Sequence, residues 1–390
     1  MTRLLKQLLF IALLLGVTTF PAITRAAEPQ LTPEMQRLIE QKVEEILAKR
    51  LQQMAADNPH PIEKPSISKG EQQQIVEQVV NSLSFSGTIE VEANYSKNYA
   101  DDSSSDVTLA TMEFGVDAQV HKWVRGHVLF LYEEDSDDDV VIDEAFITLG
   151  DNDKTPLYLS AGRMYIPFGN FTTFMISDPL TQEMAESQES AVQIGYEGDN
   201  LHAAVYAFNG DTNEGDSTST IEQYGAHLGY SIENDNLTAQ ADVSYTSSLF
   251  DSDNLCDEFG AFATDGDYIP GLGLHIMTGF SGLTIIGEYI TALDELDVAG
   301  DDIEPYTFNI EAAYTTAIGT HETTFAIAFQ GSDDLAGFLP EERYLASIGF
   351  SLYDDTAISL EYAHDEDYSV RDGGTNESAD SMTAQLAYEF

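Results

Sequence analysis

The sequence predicts an all-β protein: a transmembrane antiparallel β-barrel of sixteen strands behind a short helical segment. Three observations carry that reading. Apolar and polar residues alternate strictly in short segments, short turns alternate with long polar loops between those segments, and an export signal precedes them. The clearest unit is residues 112–132. Met112, Phe114, Val116, Ala118 and Val120 fall on one face, and Glu113, Gly115, Asp117, Gln119 and His121 on the other. That is the period of a strand with one apolar and one wet side. A turn at Lys122 and Trp123 leads to a return arm bearing Gly126, Val128, Phe130 and Tyr132. Lipid offers backbone groups no hydrogen bonds, so a sheet can cross it only by closing on itself, apolar outside and polar inside.

The export signal opens the chain. Arg3 and Lys6 precede an apolar stretch from Leu8 to Val17, and Thr24-Arg25-Ala26 is a small-residue cleavage site, giving residues 1–26 as a signal peptide. The apolar stretch is well short of the ~20 residues a spanning helix needs. Residues 27–82 read as a periplasmic helical prefix and linker. Thr32 caps a helix whose apolar face includes Leu38, Val43, Ile46 and Leu51, Asn58-Pro59-His60-Pro61 ends it, and Ser68 to Glu71 caps a second, shorter helix. A coiled coil is compatible with the first helix, although Lys49 and Arg50 interrupt a clean heptad. A packed periplasmic plug and an oligomerising stalk both fit.

Residues 83–390 form the barrel. The first strand alternates Phe85, Ile89, Val91 and Tyr95 with Ser84, Thr88, Glu90 and Glu92, and the hairpin described above follows. Strands near 140–149 and 156–166 come next, then segments marked by Ile194, Val205, Leu228, Val243, Leu274, Ile285, Ile310, Ile327, Ile348, Leu360 and finally Leu386. Short turns lie near Lys122, Asn152, Gly198, Glu233, Ser281, Gly319 and Asp354. Long loops lie near Asp102, Ser136, Met175, Asn213, Asn254, Val298, Ser332 and Gly373. Short turns face the periplasm and long loops the exterior. Tyr95, Trp123, Tyr245, Tyr314 and Phe390 sit at strand ends, where interfacial aromatics belong.

Charge narrows the function. Nine basic and nine acidic residues cancel before Leu83, so the whole formal charge of −52 lies in the barrel region. Repulsion excludes nucleic acid as a partner, and 19 Tyr with 20 Phe exclude an acidic disordered chain. The inward phase gathers Glu90, Glu92, Glu113, Asp117, Glu144, Asp242, Glu288, Glu311 and Glu361, against Arg125 and Arg343, with His127, His227 and His275 nearby. A tube lined mainly by one sign favours counter-ions, so these eleven charged pore-lining residues predict a cation preference. Residues 162–171, GRMYIPFGNF, precede the third long loop, whose Asp178, Glu183, Glu186 and Glu189 join Arg163 as constriction candidates. Arg163 falls on the outward phase. Either a bulge at Gly162 turns it inward, or it snorkels at the outer interface.

The spacing marks no catalytic set, cofactor or metal site. Residues 211–216 resemble a calcium loop without its distal glutamate, and the acidic loops read as solvated, with divalent cations able to bridge them to lipopolysaccharide phosphates. Cys256 has no internal partner for a disulfide.

FSGTIEVEANY at residues 85–95, VIDEAFITLG at 141–150 and GRMYIPFGNF at 162–171 resemble the LbtU-type siderophore porins. The Gly-Arg to Pro-Phe-Gly segment is also similar to one in phosphate-selective porins, whose channels are lined by Lys and Arg, a pattern from which this chain departs. The resemblance implies passive or facilitated uptake of a ferric siderophore across the bacterial outer membrane. The alternative is a general cation-preferring porin for small hydrophilic solutes. Outer-membrane lipid and lipopolysaccharide are the implied surroundings; the sequence leaves the oligomeric state open, a homotrimer being one option.

Overall fold

The computed structural model describes residues 82–134, 136, 140–151, 153–210, 221–234, 237–259, 268–298 and 300–390. The expected signal peptide, the expected helical prefix with its coiled-coil reading, and the calcium-loop-like segment lie outside these residues.

Sixteen strands close into one antiparallel barrel, and each pairs with its neighbours along the chain. β1 (Leu83–Lys97) pairs with β2 (Ser103–His121) on one side and with the last strand, β18 (Ser378–Glu389), on the other. The long loop between β11 (Leu283–Ala292) and β14 (Tyr306–Ile318) holds a separate small hairpin, β12 (Leu296–Val298) and β13 (Asp301–Ile303). Closure runs to the last residue. Gly87 and Phe390 exchange two backbone hydrogen bonds of 3.0 Å, and the Phe390 ring occupies the space a side chain at 87 would need, 2.5 Å from the Cβ position. Glycine there lets the terminal aromatic lie flat on the seam.

The outward phase is apolar around the barrel: Ile89, Met112, Ile147, Ile194, Leu228, Ile276, Ile327 and Leu360 are all exposed. On a soluble protein this belt would aggregate; on a barrel it is the lipid-facing surface. Among the described residues no helix is long and apolar enough to cross a membrane; the strands make the crossing.

The loop expected near Asp102 is not long. β1 and β2 stay paired out to Lys97 and Ser103, with a register shift between Glu90 and Val91. Asn98 Oδ1 accepts from the backbone N–H of Ala100 and of Asp102 to close a tight turn. The polar run Ser103 to Asp106 hid these strand residues, because a strand that projects beyond the lipid has no need of an apolar face.

The apolar core lies within the barrel, where loops pack on the inner wall. Phe168, Leu180, Met184, Phe208, Leu249, Phe250, Leu255, Ile290 and Leu335 form its centre. A smaller cluster seats Met175 and Phe174 on Ala313, Ala326, Ala328, Leu345 and Ala363. Small inward residues leave room for an inserted loop.

Candidate functional site

The connection 166–187 joins β5 (Leu157–Tyr165) to β6 (Gln188–Glu197) and crosses the lumen. Its sequence offers many backbone N–H groups but little regular structure to satisfy them, and Pro167 and Pro179 each remove one. Inner-wall side chains supply the acceptors. Gly169 N–H donates to Ser244 Oγ (3.0 Å) on β9 (Leu237–Thr246), and Asn170 N–H to Glu288 Oε1 (2.7 Å) on β11. Phe174 N–H and Thr173 Oγ1 donate to Glu311 on β14 at 2.6 and 2.8 Å. Ile176 N–H and Ser177 Oγ donate to Glu361 on β17 (Thr356–Glu366), both at 2.5 Å.

The chain then turns back as α1 (Leu180–Ala185). Leu180 N–H donates to Gln330 Oε1 at 3.2 Å, and Thr181 Oγ1 to Glu288 Oε2 at 2.7 Å. A second short helix, α2 (Asp253–Phe259), braces the return: Ser252 Oγ donates to Met184 O and Asp253 N–H to Glu186 O. The loop is thus pinned along the wall from β9 to β17.

This changes the role of three predicted pore-lining residues. Glu288, Glu311 and Glu361 do project inward, but they are 4%, 1% and 2% exposed and hold the loop rather than facing open water. Hydrogen bonds to a buried carboxylate are charge-assisted and stronger than neutral ones, which suits an anchor. Two more predicted lining residues are also engaged. Arg343 makes a bidentate pair with Asp365 at 2.8 and 3.0 Å. Asp242 is buried, with His202 (2.8 Å), His227 (3.3 Å) and His275 (3.1 Å) around it.

The opposite wall differs. Glu90, Glu92, Glu113, Asp117, Arg125 and Glu144 all take the inward register on β1, β2, β3 (Val124–Tyr132) and β4 (Val141–Leu149). None of these touches the inserted loop through a hydrogen bond, apart from Glu144 at the loop's root: its Oε1 accepts weakly from Tyr165 N–H (3.4 Å). His127 lies between Asp117 (2.9 Å) and Glu144 (3.4 Å). The loop presents its own acids to this side. Burial, then the negative charges of Glu133, Glu92 and Glu361, push the Asp178 carboxyl up. Burial and Asp178 raise Glu183, and the same two causes push Glu186 up to about 7.

Two constriction candidates are corrected. Arg163 keeps the outward phase: Gly162 pairs in register with Phe146 and Ala191, with no bulge. The exposed Arg163 donates from Nε to Gln188 Oε1 at 2.7 Å. Gly162 instead serves the backbone. Its φ is +144°, and a Cβ there would lie 2.2 Å from the Ala145 carbonyl oxygen. Glu189 belongs to strand β6, not to the loop, and is buried. Sequence reasoning missed His202, Gln330 and Asp365; each lies on the inward phase of its strand, and parity alone would have found them.

No family model matches the chain. A UPF0422 protein of Coxiella burnetii is 30% identical over 318 residues, 77% of this chain and 68% of that protein. A UPF0422 protein of Legionella pneumophila strain Lens is 26% identical over 355 residues, 79% of this chain and 66% of its own. About a third of each relative therefore lies outside the aligned region. Among solved structures, the anion-selective porin of Comamonas acidovorans matches with a TM-score of 0.56 and 13% identity, covering 79% of this chain and 99% of that one. Salmonella typhi OmpF matches at 0.57 and 12%, covering 79% and 97%, and the trimer form of Vibrio cholerae OmpT at 0.50 and 14%, covering 79% and 99%. The shared architecture is the porin barrel of the bacterial outer membrane. With 30% identity sustained over 318 residues, the chain belongs to the UPF0422 family.

Proposed function

We propose that this barrel is a constricted, cation-preferring channel for uptake of hydrophilic solutes, and that a ferric siderophore is among the solutes it admits. The observation that carries the first part is the inserted loop. It narrows the lumen and sets Asp178 among the charges of Glu92, Glu133 and Glu361, with Glu183 and Glu186 behind it. Like-signed carboxylates on both sides of a narrow aqueous passage concentrate cations and repel anions.

The siderophore reading rests on the sequence resemblance at residues 85–95, 141–150 and 162–171. The acidic passage favours neutral or cationic ferric complexes, such as hydroxamates, over polycarboxylates. A homotrimer is proposed on the analogy of porin assemblies. Planar-bilayer recording of the purified protein tests both parts. A reversal potential of the cation-selective sign in a KCl gradient supports the first; an anion-selective channel overturns it. Transient, saturable block of the current by a ferric hydroxamate supports the second, and conductance unaffected by any ferric siderophore leaves the general porin.

A further inference from the structure

Beside the points where the inserted loop is pinned to Ser244 and Glu288, neighbouring strands bring three imidazoles to one carboxylate. His202 stands on β7 (Leu201–Phe208), His227 on β8 (Gln223–Asn234), Asp242 on β9 and His275 on β10 (Gly271–Phe280). Their sequence separations give no hint of a site; cross-strand register creates it. His202, Gly229, Asp242 and His275 occupy one continuous ladder row across β7 to β10. His227 enters from the adjacent inward position, opposite Ser244.

Gly229 is the enabling residue. A Cβ at that position would sit 1.8 Å from His202 Nε2 and 2.1 Å from Asp242 Oδ1. Only glycine lets the His202 ring lie across its own neighbour to reach the carboxylate.

We infer that His202 Nε2, His227 Nε2 and Asp242 Oδ1 form a binding site for a borderline divalent transition-metal cation of the Zn²⁺ type. The three atoms lie within 4.8 Å of one another, with Nε2-to-Oδ1 separations of 2.8 and 3.3 Å. An ion held tetrahedrally at about 2.0–2.2 Å from each ligand needs ligand-to-ligand edges of about 3.3–3.5 Å. The two nitrogen-to-oxygen edges therefore need to lengthen by about 0.7 Å or less to seat an ion. Two imidazoles and one carboxylate select a borderline cation over Mg²⁺ or Ca²⁺, which demand oxygen ligands.

The carboxylate is already oriented. Its other oxygen, Oδ2, is held by Gln240 Nε2 at 2.9 Å and His275 Nδ1 at 3.1 Å. Such second partners fix a ligand's geometry. His275 serves there although its own buried Nε2 has no hydrogen-bond partner among the described residues. The His202 and His227 side chains remain 21% and 14% exposed, so an ion can enter from the lumen and keep a position for water. The inference is independent of the siderophore reading.

Calorimetric titration of the full chain, folded in detergent, with Zn²⁺ in the presence of millimolar Mg²⁺ tests the site. Folding is verified by heat-modifiable gel mobility. One saturable Zn²⁺ per chain is expected, lost in the His202→Ala/His227→Ala double variant and weakened about tenfold or more by His275→Gln. Absence of saturable binding in the folded wild type overturns the inference, as does binding retained by the double variant, which would put the ion in the acidic loops. The wild type alone gives a second readout that needs no variant. Co²⁺ should develop the intense visible bands of a four-coordinate site, and a weak octahedral spectrum alone would overturn the assignment.

Discussion

Two walls of the same lumen carry the same residue type at the same strand parity and use it differently. On β1 to β4, Glu90, Glu92, Glu113, Asp117 and Glu144 face the remaining channel. On β11, β14 and β17, Glu288, Glu311 and Glu361 are buried under the third long loop and accept its N–H groups. The difference teaches that an inward carboxylate is a selectivity element only while water reaches it. Once covered, it becomes an anchor for the group that covers it.

The largest effect should come from removing the anchors. The triple variant Glu288→Ala/Glu311→Ala/Glu361→Ala leaves loop N–H groups without acceptors, at about 1.5–3 kcal/mol for each charge-assisted bond lost. The loop should release from the wall, raising single-channel conductance roughly twofold or more as the open cross-section grows. Conductance equal to wild type in a folded, heat-modifiable triple variant would show that the anchors do not hold the constriction.

Neutralising the carboxylates of the open wall and the loop acid that faces them should act on selectivity instead. Glu92→Gln, Glu113→Gln and Asp178→Asn together should move the reversal potential well toward the non-selective value, with little change in conductance, and high salt should shrink the wild-type preference by screening. The comparison is broken if this set changes selectivity no more than Glu288→Gln, Glu311→Gln and Glu361→Gln do.

A smaller effect is expected from pH. Glu186 is held up to about 7 from an ordinary 4.5, so it protonates on mild acidification. Lowering pH from 8 to 6 should reduce cation preference by removing its charge, and Glu186→Gln should abolish that part of the response. The sign for stability is the opposite. Because the folded form binds the proton more tightly, this group's contribution to stability falls as pH rises between about 4.5 and 7. A reversal potential flat across that window would remove Glu186 from the passage.

Arg163→Ala should have the smallest effect. The arginine faces outward and bonds Gln188, so conductance, selectivity and any solute block should match wild type in bilayer recordings. A weakened block would place the guanidinium in the lumen after all.

The alternation in the sequence determined the barrel, its sixteen strands and which residues point inward, because lipid outside and water inside impose opposite demands at every second position. Charge counting likewise gave the acidic lumen. Parity, however, says which face a residue takes and nothing of what covers it. That Glu311 holds Phe174 N–H, across 137 positions of chain, follows from where the third loop lands, and no local pattern encodes that. His202, His227 and Asp242 meet only through pairing register and the empty space at Gly229. Arg163 lay on the outward phase from the start, but its direction was fixed only when Gly162 took up its unusual backbone and kept β4 and β5 in register. Local periodicity is set by the solvent on each face, whereas contacts between distant segments depend on closure and register, and those are properties of the folded barrel.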